Sequence, residues 1–178
     1  MTRRIALLRG INLGSRRRVE MAALRDVLAG LGYRDVRTFL QSGNVVFTSR
    51  ASPGRLQRDL EKQLAAELGI DVQVLVRTRD ELADVVERNP LGDVAHNPSR
   101  YLVSFLSAKL AAKLVRDLAT VDVTPEQFVV SGREIYAWHP DGVQRSRLGK
   151  LLSEERLGVA ATARNWNTVT KLLALADE

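Results

Sequence analysis

A strand, turn, strand pattern is written twice in this chain, and the repeat constrains the fold more than any other feature. RTFLQSGNVVFTS, centred on Ser42-Gly43, recurs as QFVVSGREIYAWH around Ser131-Gly132, an offset of 89 in a chain of 178 residues. Each copy has apolar, β-prone residues on both sides of a Ser-Gly turn, which reads as a β-hairpin. Two hairpins half a chain apart point to duplication of one small α/β unit.

The segments around each hairpin complete the unit. In the first half, Ile5 to Arg9 reads as a strand, and Leu24, Val27, Leu28 and Leu31 fall at helical spacing up to Gly32. The hairpin Val36 to Thr48 follows. Ser52-Pro53 then reads as the N-cap and first turn of a helix carrying Leu56, Leu60 and Leu64 and ended by Gly69, with a strand from Val72 to Val76. The order βαββαβ is the ferredoxin-like unit. Thr78 and Glu81 form a capping box for a short connecting helix that stops at Asn89-Pro90. The second half repeats the order: strand Tyr101 to Leu106, a helix with Leu110, Leu114 and Leu118, the hairpin Phe128 to Trp138, a helix with Leu148, Leu151 and Leu152, and a strand near Val159 to Ala163. A last helix carries Trp166, Val169, Leu172, Leu173 and Ala176, with Asn165 or Asn167 as its cap. The expected fold class is α+β. Subdomain 1–77 is ferredoxin-like, 78–99 is a connecting helix and loop, and 100–178 is a second ferredoxin-like subdomain with a C-terminal helix. Ile5-Ala6-Leu7-Leu8 and Tyr101-Leu102-Val103 are apolar at successive positions, so both faces of these strands should be covered. The expectation is one compact, pseudo-symmetric body.

Composition narrows the function classes. A hydrophobic content of 45% excludes a disordered chain, and the absence of cysteine excludes disulfides, thiol nucleophiles and thiolate metal sites. His96 and His139 stand alone without ligand spacing, so neither a metal nor a cofactor is expected. The apolar run Ile5 to Leu8 between arginines is far shorter than a signal segment, and no membrane span is visible, so a cytoplasmic protein is expected. The net charge of +6 is uneven: residues 1–58 hold twelve arginines against Glu20, Asp26 and Asp35, a balance of +9, which leaves −3 for the remainder. Arginine favours bidentate contact with phosphate or carboxylate.

In a ferredoxin-like unit the end of the first strand lies beside the start of the third. That brings Arg9, Gly10, Asn12, Gly14 and the run Arg16, Arg17, Arg18 next to Gln41, Ser42, Gly43 and Asn44. Glycine turns, arginine forks and a helix N-terminus suit an anion. The same residues would also serve as local turn geometry with Asn and Gln tying two loops together. The aromatic residues Tyr101, Phe105, Tyr136 and Trp138 are open to two readings, as a base-stacking sheet face or as core. Nothing in the chain specifies a reaction.

Three blocks, ALLRGINLG, LQSGNVVF and TARNWNTVTKLLALA, together resemble the bacterial family of domain of unknown function 1697. The residues carrying the resemblance are Arg9, Gly10, Asn12, Gly14, Gln41, Ser42, Gly43, Asn44, Arg164, Asn165, Trp166, Thr168 and Lys171. It implies a duplicated α+β fold with ferredoxin-like halves and no established activity. Ser15-Arg16-Arg17-Arg18 stands where a glycine-rich, lysine-containing loop would be typical. The leading expectation is a binding module for phosphate-bearing partners, above all nucleic acid. The others are an enzyme or sensor for a small phosphorylated or carboxylated metabolite at the same edge, and a protein-interaction or structural module. Arg164, Asn165, Trp166 and Lys171 are secondary site candidates.

Overall fold

The pairing of the apolar strands decides the layout. In the computed structural model, which describes residues 1–15 and 17–178, the chain forms two compact units, Met1–Asp84 with Lys171–Glu178, and Val85–Thr170. Each contains a four-stranded antiparallel sheet with helices, so the fold is mixed α+β.

In the first unit the elements run β1 (Thr2–Leu8), α1 (Met21–Gly30), β2 (Arg34–Phe39), β3 (Asn44–Ser49), α2 (Pro53–Leu68), β4 (Val74–Thr78) and the start of α3 (Arg79–Arg88). The sheet order is β2-β3-β1-β4. Side chains alternate along a strand, so Ala6 and Leu8 of β1, Val45 and Phe47 of β3, and Val74 and Val76 of β4 share one face. Leu24, Val27 and Leu28 of α1 and Leu56, Leu60 and Leu64 of α2 close over that face. Ile5 and Leu7, which point the other way, are buried as well, as the unbroken apolar run requires. Gly69 ends α2 in the left-handed conformation, its N–H bonded to the Ala65 carbonyl. The expected Ser52 cap differs: its side chain makes no capping bond, and Pro53 alone marks the helix start.

In the second unit, β5 (Tyr101–Leu106), α4 (Ala112–Ala119), β6 (Gln127–Ser131) and β7 (Glu134–Trp138) are followed by a 3-10 turn (Val143–Arg145), α5 (Leu148–Leu151), α6 (Glu154–Leu157), β8 (Ala161–Asn165) and α7 (Trp166–Asp177). The order β6-β7-β5-β8 repeats that of the first sheet. The single helix expected around Leu148 to Leu152 is two short ones, because extended backbone at Ser153 interrupts it and left-handed Gly158 ends the second piece. Leu148, Leu151 and Leu157 still reach one core with Leu106, Leu110, Leu118 and Ile135.

The two sheets match in register. Leu8 N–H donates to the Gly43 carbonyl and Leu106 N–H to the Arg133 carbonyl, each at 2.8 Å. Ile5 lies opposite Arg77, and Val103 opposite Arg164. At the strand end that follows, Thr78 and Asn165 cap α3 and α7. Thr78 Oγ1 accepts from Glu81 N–H at 3.1 Å while Glu81 accepts from Thr78 N–H at 2.8 Å, the reciprocal box read in the sequence. Asn165 Oδ1 accepts from Thr168 N–H at 3.0 Å.

Tyr101, Phe105, Tyr136 and Trp138 are all buried. Tyr101 stacks on Trp166 with ring centroids 4.9 Å apart, and the Tyr136 hydroxyl donates to the Val85 carbonyl at 2.7 Å. Burial pushes both phenols up from their ordinary pKa. These rings are core, which rules out base stacking on this strand face.

Candidate functional site

The end of β1 and the β2-β3 turn meet as the topology demands. After Leu8 the chain leaves the sheet with Arg9, whose N–H donates to the Gln73 carbonyl at 2.9 Å and whose guanidinium reaches Gln73 Oε1 at 3.2 Å. It then turns through Gly10 (φ 65°), Asn12 (φ 54°), Gly14 (φ 65°) and Arg17 (φ 49°). Glycine and asparagine visit this left-handed region at small cost. Arg16 lies outside the described residues.

Asn12 organises the loop. Its Oδ1 accepts from Val19 N–H at 2.7 Å, and its Nδ2 donates to the Val19 carbonyl at 2.9 Å and the Gln41 carbonyl at 2.5 Å. Its own N–H donates to the Arg17 carbonyl at 3.0 Å. One side chain therefore closes the 12–19 loop and ties it to the hairpin. Asn44 closes the hairpin turn itself: fully buried, it donates to the Phe39 carbonyl at 2.8 Å and to Ser42 Oγ at 2.9 Å. Gly43 (φ 83°) sits where a Cβ would come within 2.7 Å of Leu8 Cβ and 2.8 Å of Ile11 Cδ1, so the turn is pressed against β1.

The edge residues expected from the sequence thus divide. Asn12, Gly43 and Asn44 build the edge, Gly10 and Gly14 supply its turns, and Ser42 accepts Asn44's amide. Arg9 is half-buried against Gln73, whereas Gln41, Arg17 and Arg18 are exposed. A cavity of about 600 Å³ opens between the loop and the hairpin, lined by Asn12, Gly14, Arg18, Glu20, Met21 and Gln41. It lies at the N-terminus of α1, where Glu20 makes no side-chain capping bond and the first turn carries no acid. Glu20 and Met21 escaped the sequence reading. The helix start after the arginine run was the signal for them.

Three of the four secondary candidates have structural roles in the second unit. Arg164 is buried and donates to Thr162 Oγ1 at 2.7 Å and the Ala163 carbonyl at 2.9 Å. Burial pulls its guanidinium pKa down to about 10. Asn165 is the α7 cap and Trp166 the stacking partner of Tyr101, while Lys171, in the first unit, is exposed.

His139 is not the lone loop histidine that its sequence context implied. It is buried, with Nδ1 2.8 Å from Glu126 Oε2, and Glu126 Oε1 accepts from Arg147 N–H at 2.9 Å. Burial pushes the Glu126 carboxyl up, but hydrogen bonds from Ser146, Arg147 and His139 outweigh it and hold the pKa below the ordinary glutamate value. Among the described residues no three His, Asp or Glu side chains converge on a point that could hold a metal, and no helix is long and apolar enough to cross a membrane.

Comparison with known proteins places this geometry. The model of a protein family of unknown function, DUF1697, matches residues 1–136. The chain belongs to that family. ALLRGINLG and LQSGNVVF, which form the edge, lie within the matched span, and the 162–176 block lies beyond it. No curated protein matches the chain. Among solved structures, the conserved bacterial protein SP0830 from Streptococcus pneumoniae is similar over 98% of both chains, with 24% sequence identity and a TM-score of 0.79. That likeness establishes a shared fold.

Proposed function

We propose that this DUF1697 chain is a binding module for phosphate-bearing partners, nucleic acid foremost, built on a duplicated ferredoxin-like unit and working through the arginine-rich edge of its first half. The observation that carries the reading is the exposure of Arg17 and Arg18 beside an open polar cavity at an uncapped helix start. Neither arginine forms an ion pair among the described residues. Others in the same unit are neutralised: Arg3 pairs with Asp35, Arg37 with Glu178 and Arg55 with Asp59. Asn12 ties the loop to the hairpin and Asn44 closes the hairpin turn, contacts that support a pre-organised edge.

The spread of charge favours a polymer over a small anion. Arg34 and Arg50 are exposed at the far end of the β2-β3 hairpin. A six-residue strand separates the two ends by roughly 20 Å, a span that several backbone phosphates cover and one small anion does not. A small phosphorylated or carboxylated compound in the 600 Å³ cavity is the second reading, favoured by the cavity itself.

Fluorescence anisotropy with single-stranded RNA, single-stranded DNA and duplex DNA across a salt series tests the proposal. Each neutralised phosphate releases counterions, so converting Arg16, Arg17 and Arg18 to Ala should lower the log-log salt slope by about 2 to 3. Absence of binding at low salt, or an unchanged slope in the variant, refutes it. In that event, thermal stabilisation by phosphorylated or carboxylated compounds supports the second reading.

A further inference from the structure

A second cavity in the first unit, of about 370 Å³, lies at the end of the hairpin away from the arginine loop. It is lined by Gly32, Tyr33, Arg50, Ala51, Arg55 and Asp59, among others. Its size falls in the range of about 300–1,000 Å³ that ligand sites occupy. Tyr33 is half-buried, and its ring lies nearly parallel to that of Phe47, with centroids 5.0 Å apart and an interplanar angle of 20°. Phe47 has no exposure, so Tyr33 is held from beneath by the core and turns the rest of its ring to the cavity. Burial, with the nearby charge of Asp59, pushes the Tyr33 phenol up, so the ring stays neutral and its hydroxyl keeps its proton. Arg50 is exposed and makes no ion pair among the described residues. Arg55 and Asp59 pair at 3.4 Å on the helix that forms the opposite wall.

A fixed aromatic surface, an unpaired guanidinium and a carboxylate acceptor around one small cavity match the parts of a nucleotide: base face, phosphate and exocyclic amine. We infer that the Tyr33 cavity seats one splayed-out nucleobase with Arg50 on the adjoining phosphate, and that the chain therefore takes single strands over duplex. The inference rests on the phosphate-binding reading above and adds the class of polymer. Bases inside a duplex are stacked on both faces and cannot enter the cavity without being unpaired. A single strand can stack a base on Tyr33 while its backbone runs along the arginines of the same unit.

The test uses the full chain and short RNA and DNA single strands carrying one fluorescent aminopurine, with the matching duplexes. Wild type should bind the single strands at least tenfold more tightly than the duplexes and quench the aminopurine. Tyr33→Leu should weaken single-strand affinity by roughly 5- to 150-fold and abolish quenching, while the conservative Tyr33→Phe, which keeps the ring, restores both. Arg50→Ala, at an exposed position, should weaken single-strand binding and lower its salt slope by about 0.7. The RNA and DNA arms identify the preferred sugar. Equal affinity for single strands and duplexes, unquenched aminopurine, or Tyr33→Leu and Arg50→Ala both binding like wild type overturns the inference. If strands still bind through Arg17 and Arg18 in that case, the broader proposal stands. If nothing binds at low salt, both fall.

Discussion

Replacing Gly43 with alanine should destabilise the protein several times more than the same change at Gly132, although both are the glycine of the repeated Ser-Gly dipeptide. In the sheet register the counterpart of Gly43 is Arg133, and Gly132 stands one residue earlier in its turn. Both have positive φ, 83° at Gly43 and 60° at Gly132. An L-residue there costs about 1–2 kcal/mol, and the loss of unfolded-chain entropy returns about 0.4–1 kcal/mol, so the backbone contribution at either site is about 1 kcal/mol. The surroundings differ. At Gly132 the new methyl meets only Glu134 Oε2 at 3.7 Å and Arg88 Nη1 at 3.8 Å, which is ordinary contact. At Gly43 it meets Leu8 Cβ at 2.7 Å and Ile11 Cδ1 at 2.8 Å. The isoleucine tip can rotate away. Leu8 Cβ cannot, because its strand is bonded to the Gly43 carbonyl by its own N–H at 2.8 Å. Forcing a methyl into such a site adds about 1–3 kcal/mol, which brings Gly43→Ala to about 2–4 kcal/mol. Urea unfolding of both variants measures the difference directly. Equal losses at the two sites would mean that the hairpin is not pressed against β1, and the geometry of the edge would have to be abandoned with it.

Two further outcomes follow from hydrogen bonds in the second unit. Glu126 titrates below its ordinary value of 4.5 in the folded chain, so its contribution to stability is complete above that pH and is lost as pH falls through the depressed native value. Glu126→Gln should therefore be less stable at neutral pH and lose less stability than wild type between about pH 5 and pH 3, measured by urea unfolding at each pH. A parallel pH dependence in the two proteins would refute the assignment. Asn165→Ala removes the α7 cap and should cost about 1 kcal/mol, whereas Asn165→Ser should recover most of it, as read by thermal unfolding.

The parts of the fold that were legible in the sequence are those fixed by neighbours along the chain. The Thr78–Glu81 box lies within four residues and forms as read, and Leu56, Leu60 and Leu64 with Gly69 delimit α2. Leu148, Leu151 and Leu152 have the same spacing, yet the helix breaks, because Ser153 takes extended backbone and Leu157 then fills the core from a separate turn. Val72 is buried without joining β4, so burial alone did not mark the strand start. The edge was legible as a meeting of two segments, since sheet topology fixes that. The division of labour within it was not: whether Asn12 faces a ligand or the Gln41 carbonyl depends on an atom 29 residues away. Glu126 and His139 are likewise joined only by tertiary structure, and no periodicity relates them. Gly43 and Gly132 look alike in the Ser-Gly repeat, yet the two turns differ in length and only the carbonyl of Gly43, like that of Arg133, accepts from the neighbouring strand.

The two hairpin ends differ in how their charges are satisfied. In β7 the place of Asn44 is held by Glu134, a buried carboxylate that a low-dielectric site tolerates only when paired. Arg88 supplies the pair, with Nη2 3.0 Å from Glu134 Oε2 and Nη1 donating to Ser131 Oγ at 2.5 Å and its carbonyl at 3.1 Å. That edge uses its arginine to satisfy its own turn. In β3 the neutral amide of Asn44 satisfies the turn without charge, and the loop opposite leaves Arg17 and Arg18 exposed. One scaffold thus carries a self-neutralised edge and a basic one. Exchanging the residues tests this: Asn44→Glu buries a carboxylate in the first edge, and the charge should draw an arginine out of solvent or unfold the turn. Phosphate-partner affinity of Asn44→Glu should then fall together with its unfolding midpoint, whereas Glu134→Gln should lower stability and leave that affinity at the wild-type level.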